Sequence, residues 1–170
     1  MLAAAVEQFA EHGVAAVTVR QVATVAGVNP GLVHRYIGTK EDLVVRAMAE
    51  ASRRVAQALV GGDQALDDRS GESPVERYER LLAHLALEDH DLEAMALDHP
   101  LMGFLVEQAA RAEGLDDRAA RLRAVSVVAL DLGWRLFAPL VRVATGLDDD
   151  QDPAVWAALG RARHALLTRP

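Results

Sequence analysis

The chain has 170 residues, an apolar fraction of 51% and a net charge of −7, and it contains no cysteine. This length can hold one compact domain or a small domain joined to a larger one, and the apolar fraction is ample for a core. The absence of cysteine excludes disulfides, thiolate metal sites and cysteine nucleophiles. No alternating β-type stretch persists, so the sequence predicts an all-α protein of about nine helices.

The N-terminal residues carry no recognisable targeting signal. They lack a cationic start before an apolar run, and Glu7 interrupts that run, so a signal peptide is not expected. No stretch is continuously apolar over the ~18 residues that are needed to span a bilayer. We therefore expect a soluble cytoplasmic protein without a membrane partner.

The first strong structural signals lie between Thr18 and Gly27. Thr18 and Gln21 have the spacing of a capping box, in which the two side chains satisfy each other's free backbone N–H groups, so a helix is predicted to start at Thr18. Apolar residues then recur at helical spacing, as at Val22 and Ala23. Gly27 is predicted to end the helix, because glycine adopts positive φ without penalty.

A shorter second helix follows at once. Asn29-Pro30 combines an N-cap with a proline that suits a first helical turn, so this helix is predicted to begin at about Pro30 and to last about two turns before Gly38. Val33 and Ile37 supply its inner face. Two helices joined by so tight a turn cross steeply and leave one face of the second exposed, and in helix-turn-helix proteins that face enters the major groove of DNA.

The order of these motifs resembles one family closely. Residues 2–50 resemble the N-terminal domain of the TetR family of transcriptional regulators in four successive stretches: FAEHG, TVRQVA, AGVNPGLVHRYI and TKEDL. The resemblance covers roughly the first third of the chain. It implies a ligand-responsive repressor and not an enzyme. Such a protein binds a near-palindromic double-stranded DNA operator as a homodimer, needs no cofactor, and is released by a small-molecule effector.

Carried over position by position, the resemblance assigns roles on DNA. Arg20 lies where the family places an arginine that contacts bases or phosphates, and its planar fork suits guanine O6 and N7. Gly31 and Leu32 lie at the tip of the recognition helix, where leucine can touch a thymine methyl group. The polar side chains that follow are expected to hold the DNA backbone. The predicted DNA-binding residues are Thr18, Arg20, Asn29, Gly31, Leu32, His34, Arg35, Tyr36 and Lys40.

Three positions depart from the family pattern. Pro30 stands where the residue is often polar or basic, Leu32 where it is often threonine, and His34 where it is usually tyrosine. Hydrogen-bonded base readout is therefore thinner, and DNA shape is expected to carry more of the specificity. The chain also begins inside its first helix, so we expect that a basic N-terminal arm is either absent by nature or missing from this sequence.

The acidic charge lies mostly in the C-terminal part. Residues 1–50 carry four basic and five acidic residues, a net charge of −1, and the remainder carries −6. Arg20, Arg35 and Lys40 lie on or beside the predicted DNA face. So small a basic patch predicts modest, strongly salt-sensitive affinity for one subunit, and a dimer is needed to double the contacts.

Helix four is predicted to bridge two domains. Thr39 and Asp42 form another capping box at its start, and its apolar stripe runs to about Val60. It would join a DNA-binding domain at 1–46 to an effector-binding and dimerisation domain at 47–170.

Beyond helix four, residues 61–74 are rich in glycine, serine and aspartate and are predicted to form a loop. Pro139 is expected to kink or interrupt the helix that contains it. Further helices are predicted at about 74–88, 91–98, 100–113, 117–145 and 152–168.

The helical body is expected to hold an effector cavity. In the TetR family the middle helices surround such a cavity, although here the same apolar residues can simply form a core. Trp134 and Phe137 could face the cavity, the subunit interface or the core. The candidate ligand-binding residues are Met95, His99, Met102, Phe104, Trp134 and Phe137.

Residues 124–144 are apolar on too many sides for a surface helix. Burial by its own core on one side and by a partner subunit on the other is the simplest solution. In the TetR family the last two helices of each subunit form a four-helix dimer interface. The candidate interface residues are Val127, Leu130, Val141, Trp156 and Leu159.

Two alternatives to a working repressor stay open. A helical metal-dependent enzyme would use the segment from His84 to His99, in which His84 and Glu88 are four residues apart on one helical face. No HExxH motif or second matching pair supports a metal site there, and solvated charges are the simpler interpretation. A helical interaction module with decayed DNA binding would account for Pro30, Leu32 and the lack of a basic arm.

Overall fold

The computed structural model describes residues 1–61, 73–88, 90–91, 93, 99–113, 115–147 and 153–168. Over these ranges the chain is helical and contains no strand, which confirms the predicted all-α fold. The predicted helix at 91–98 lies mostly outside the described residues. The helices are α1 (Leu2–His12), α2 (Val19–Val25), α3 (Pro30–Tyr36), α4 (Lys40–Gly61), α5 (Pro74–Leu87), α6 (Pro100–Glu113), α7 (Asp117–Thr145) and α8 (Pro153–Thr168).

Helices α2 and α3 begin where their capping residues predict. Thr18 Oγ1 accepts a hydrogen bond from the Gln21 backbone N–H at 3.2 Å, and the Gln21 side-chain oxygen accepts one from the Thr18 N–H at 2.8 Å. The Asn29 side chain accepts the Gly31 N–H at 2.8 Å, with Pro30 in the first turn of α3. These bonds satisfy N–H groups that helix geometry leaves without a partner, and they therefore fix both helix starts.

The turn between α2 and α3 depends on the backbone conformation of Gly27. Its φ is +66°, a region that residues with a side chain rarely adopt, yet an added Cβ would meet no atom within 4 Å. The requirement for glycine is therefore conformational and not a matter of space. The Val28 N–H then donates to the Ala23 carbonyl at 2.9 Å, which closes the end of α2.

Residues 1–101 form the first of two compact units. Within it α1 packs on α4 and α5, α4 packs on α5, and α2 packs on α1 and α3. Phe9, Leu43 and Met48 are fully buried there. Each such side chain contributes roughly 1.5–3 kcal/mol relative to an exposed position. Helix α4 matches its predicted limits to within one residue at each end.

Residues 102–170 form the second compact unit, in which α7 packs on α8. Asp131 on α7 and Arg163 on α8 form an ion pair at 3.4 Å, and Arg123 donates to the Leu167 carbonyl at 3.1 Å. This division reflects packing, and the functional boundary at residue 46 stays a prediction.

Helix α7 continues without a break through Pro139, so of the two expected effects the interruption is wrong and the kink stays a prediction. Proline lacks the N–H that would donate to the carbonyl four residues earlier, and its ring crowds that carbonyl. In a helix of 29 residues the rest of the hydrogen-bond ladder remains to hold the chain.

Helix α7 is long and apolar enough to cross a membrane, judged by length and composition alone. A window of 18 residues in it has a mean hydropathy of 1.6, and 17% of that window is buried. The helix nevertheless carries Asp131, Arg135 and Arg142, and charges are costly within hydrocarbon. Large exposed apolar surfaces also mark sites that another protein covers.

We expect Thr18→Ala to lower the free energy of unfolding by about 1 kcal/mol, because it removes the oxygen that accepts the Gln21 N–H. Thr24→Ala is the matched control. Thr24 is also exposed on α2, but its hydroxyl bonds back to the Arg20 carbonyl and adds little to helix stability. The control should change the free energy by less than about 0.5 kcal/mol. Urea denaturation measures both, and equal losses would contradict the capping role.

Candidate nucleic-acid interface

Helix α3 presents one face to the core and the other to solvent. Val33 and Ile37 are buried, at 1% and 9% exposure. The five predicted DNA contacts within this helix after Pro30 are all exposed, with Leu32 at 49% and Tyr36 at 68%; they are Gly31, Leu32, His34, Arg35 and Tyr36. A two-turn helix with an apolar and an aromatic side chain this exposed leaves its whole outer face open for a binding partner.

Two arginines at this face remain available for an anion. Arg20, in the first turn of α2, and Arg35, on α3, are both exposed. The Arg35 guanidinium lies 5.7 Å from the centre of the Tyr36 ring, a cation–π distance. Among the described residues neither arginine forms an ion pair with a carboxylate. Both can therefore bind phosphate or a guanine edge without first breaking an internal pair.

One ring nitrogen of His34 forms a hydrogen bond just beyond the end of its own helix. Its Nδ1 lies 3.2 Å from the Gly38 carbonyl oxygen. A carbonyl can only accept, so Nδ1 carries the proton that makes this bond. In the neutral ring Nε2 is then an acceptor. His34 can donate to a DNA phosphate through Nε2 only when the ring is doubly protonated.

The start of α4 borders the same face. Asp42 Oδ2 accepts hydrogen bonds from the Thr39 N–H at 2.8 Å and from the Thr39 hydroxyl at 2.9 Å, which confirms the predicted capping box. The backbone bond and then the side-chain bond from Thr39 lower the pKa of Asp42 from its usual value. Lys40 is half-buried, and its Nζ donates to the Ala15 carbonyl at a long 3.5 Å.

A buried polar cluster joins α4, α5 and the residue before α6. Ser52, with no exposed surface, accepts the Leu101 N–H at 2.9 Å, and its Oγ lies 3.2 Å from His99 Nδ1. The Tyr78 hydroxyl lies 3.5 Å from His99 Nε2, and burial raises the pKa of Tyr78. Of the three, only His99 was predicted as a ligand contact. Ser52 could have been found, because it shares the apolar face of α4 with Met48.

Comparison with known proteins identifies the family. Residues 1–47 match the family model described as bacterial regulatory proteins, tetR family. The chain is 36% identical over 149 residues to the HTH-type transcriptional repressor Rv3405c of Mycobacterium tuberculosis and to the HTH-type transcriptional regulator Mb3439c of Mycobacterium bovis. Each match covers 88% of this chain and 77% of the relative. The HTH-type transcriptional regulator BetI of Brucella anthropi is 35% identical over 83 residues, or 49% of this chain and 40% of that protein.

The chain belongs to the TetR family of bacterial regulatory proteins. It is a DNA-binding transcriptional regulator, and the exposed face of α3 lies in the part of the chain that matches the family model. The family consists of regulators and not of enzymes, so the enzymatic alternative is dropped. Within the described residues no group of three or more histidine, aspartate or glutamate side chains is placed to hold a metal ion.

Four of the other predicted effector contacts of this TetR-family protein lie in the second unit. Met102, Phe104 and Trp134 are half-buried, whereas Phe137 is 56% exposed. Met95 lies outside the described residues. The roles of these residues in effector binding therefore stay predictions. His99 differs from them because it lies in the first unit and has polar partners, Ser52 and Tyr78.

The predicted interface residues differ in how much surface they offer a partner. Val127 is buried within its own chain, at 4% exposure, and Val141 is 37% exposed. Leu130, Trp156 and Leu159 are half-buried. A more exposed stripe, which sequence reasoning did not separate from the core, recurs at helical spacing along α7. We call it the α7 stripe, and it consists of Leu122, Val125, Ala129, Leu136, Leu140 and Val143.

The Asp42 carboxylate should titrate below its ordinary pKa of 3.8, and Thr39→Ala should move the pKa upward by removing the hydroxyl bond. Because the folded-state pKa is lowered, the contribution of Asp42 to stability is complete above its unfolded-state pKa. That contribution is lost as pH falls through the folded-state value. Side-chain carbon NMR measures the titration, with Thr24→Ala as a control that should leave it unchanged. An unshifted Asp42 in the wild type would contradict the cap.

Proposed function

We propose that this protein is a cytoplasmic repressor that binds a near-palindromic operator as a homodimer and leaves it when a small-molecule effector binds. The observation that carries the proposal is the open outer face of α3, flanked by Arg20 and Arg35, neither of which has a carboxylate partner among the described residues. The relative from Mycobacterium tuberculosis is named a repressor, which supports that direction of control.

Base recognition at this face would rest on few side chains. Arg20 would contact guanine in bidentate fashion, and the exposed Leu32 would contact a thymine methyl group. Arg35, Tyr36 and Lys40 would hold phosphates and set the register of α3 in the groove. With so few base contacts, the deformability of the operator would supply much of the remaining specificity.

The α7 stripe supports the homodimer. Leu140 is 68% exposed and Val143 85% exposed, so a single chain leaves them in water. The Asp131–Arg163 ion pair and the bond from Arg123 tie α7 to α8, so that both helices can meet a second copy together. Twofold pairing would present two α3 helices to major grooves about 34–36 Å apart.

The polar cluster of Ser52, Tyr78 and His99 supports an effector site in the helical body. An effector that hydrogen-bonded His99 would change the partners of Ser52 in the middle of α4. The first turn of the same helix carries Lys40 and the Asp42 cap. An effector that prefers one position of α4 would shift DNA affinity by as much as its own affinity differs between the two positions.

Arg20→Ala should weaken binding to a selected operator by about 1–3 kcal/mol and relax the base preference at one position, since it removes a bidentate contact. Tyr36→Ala should weaken binding more evenly across sequences, because it removes a phosphate contact. The operator would be selected by the wild-type chain from random duplex DNA at two salt concentrations, and affinities would be measured by fluorescence anisotropy.

Arg111→Ala is the matched control for the loss of one positive charge, since Arg111 is exposed on α6 and pairs with Glu107. It should change the affinity by less than about twofold. Unchanged binding in both Arg20→Ala and Tyr36→Ala would remove the site assignment. If the wild type selected no DNA at any salt concentration, the interaction module with decayed DNA binding would replace the proposal.

Leu140→Asp should separate the dimer, because it places a charge within the α7 stripe. Leu87→Asp is the control, since Leu87 lies on α5 and is 72% exposed, similar to Leu140. Sedimentation equilibrium should give twice the 18.3 kDa of one chain for the wild type and for Leu87→Asp, and 18.3 kDa for Leu140→Asp. A Leu140→Asp protein that stayed dimeric would place the interface elsewhere.

A further inference from the structure

The turn between α1 and α2 is held from two sides through one residue, Ala15. Glu88, at the C-terminal end of α5, accepts a hydrogen bond from the Ala15 N–H at 2.7 Å. Lys40 Nζ donates to the Ala15 carbonyl at 3.5 Å. One residue of the turn therefore contacts both a helix outside the predicted DNA-binding domain and a predicted phosphate-binding side chain.

Glu88 is arranged to remain a carboxylate. His84 Nδ1 lies 3.3 Å from its Oε1, and His90 Nε2 lies 3.4 Å from its Oε2. Burial raises the pKa of Glu88, but the bonds from Ala15 and His90 and the charges of His84 and His90 outweigh burial, so that the pKa is lowered from its usual value. The charged form is also the one that makes the strong, short bond to the Ala15 N–H.

Gly13 makes room for this contact. A Cβ at Gly13 would lie 2.6 Å from Glu88 Oε1 and 3.1 Å from His84 Nδ1, and Gly13 has a φ of +82°. Any side chain at this position would push the carboxylate away. Glycine at position 13 thus lets the Glu88 carboxylate reach the Ala15 N–H at hydrogen-bond distance.

We propose that Glu88 is a positioning residue for DNA binding. Its carboxylate fixes the turn between α1 and α2, and the Ala15 carbonyl in turn fixes Lys40 at the start of α4, next to α3. The proposal rests on the DNA face proposed above. The direction of the expected change distinguishes the proposal from a simple charge effect. Loss of the Glu88 carboxylate is expected to weaken DNA binding, whereas removing a negative charge on its own should strengthen it.

The test compares Glu88→Ala and Glu88→Gln with Glu107→Ala, which removes the same charge from an exposed ion pair on α6. Hydrogen exchange of the amides at 13–17 should quicken by about tenfold in Glu88→Ala, because the acceptor for the Ala15 N–H is lost. Glu88→Gln keeps an oxygen acceptor and should stay within about threefold of the wild type. Glu107→Ala should not differ, with peptides from α7 as the internal reference.

Affinity for a duplex selected by the wild type should fall by about five- to tenfold in Glu88→Ala, recover largely in Glu88→Gln, and hold or rise slightly in Glu107→Ala. In a Lys40→Gln background the loss caused by Glu88→Ala should shrink to less than about twofold, since two residues that act through one contact are not additive.

Three results would overturn the proposal. Unchanged exchange at 13–17 in Glu88→Ala would mean that the carboxylate does not hold the turn. Faster exchange with DNA affinity equal to that of Glu107→Ala would mean that the turn does not position the DNA face. If the losses of DNA affinity caused by Glu88→Ala and Lys40→Gln were fully additive, Glu88 would not act through Lys40. Failure of the wild type to select any DNA is a failure of the proposed DNA face, and the exchange arm still decides whether Glu88 holds the turn.

Discussion

Everything at the proposed DNA face depends on holding a helix of seven residues, α3, which is too short to be stable by itself. Three local devices hold it: the Asn29 cap at its start, the positive φ of Gly27 before it, and the burial of Val33 and Ile37 beneath it. All three act at the ends or on the inner side of α3. Apart from His34, whose Nδ1 bonds to the Gly38 carbonyl, the side chains on the outer face take no part in these contacts, and they are available for the proposed contacts to bases and phosphates.

Because the chain is acidic overall, its affinity for DNA would depend on the few cations near α3. Acidic residues in the first turn of α4, Glu41 and Asp42, complement the positive end of that helix, and Asp42 is occupied as a cap. Arg20 and Arg35 are exposed, and they are the cations proposed to face DNA in a protein with a net charge of −7. So small a positive patch is consistent with the proposed homodimer, in which a second subunit would double the contacts to DNA.

Sequence patterns predicted what is local and missed what is distant. The caps at Thr18, Asn29 and Thr39 join residues within three positions of one another, so their spacing alone predicted the helix starts. Ser52 and His99 are 47 positions apart, and Glu88 and Ala15 are 73 apart, so no local pattern indicates either contact. The interruption expected at Pro139 does not occur, because the remaining hydrogen bonds of a 29-residue helix hold the chain in place. The α7 stripe was hidden because both sides of that helix are apolar.

The α7 stripe, with its exposed leucines and valines, is the proposed dimer interface, and a dimer makes DNA binding depend on the concentration of the protein in the cell. If two chains must meet before either binds an operator tightly, then at low abundance operator occupancy grows with the square of the copy number and not in proportion to it. Gene dosage would then act as a second input beside the proposed effector. A modest change in expression could silence or release the controlled promoter without any change in ligand level.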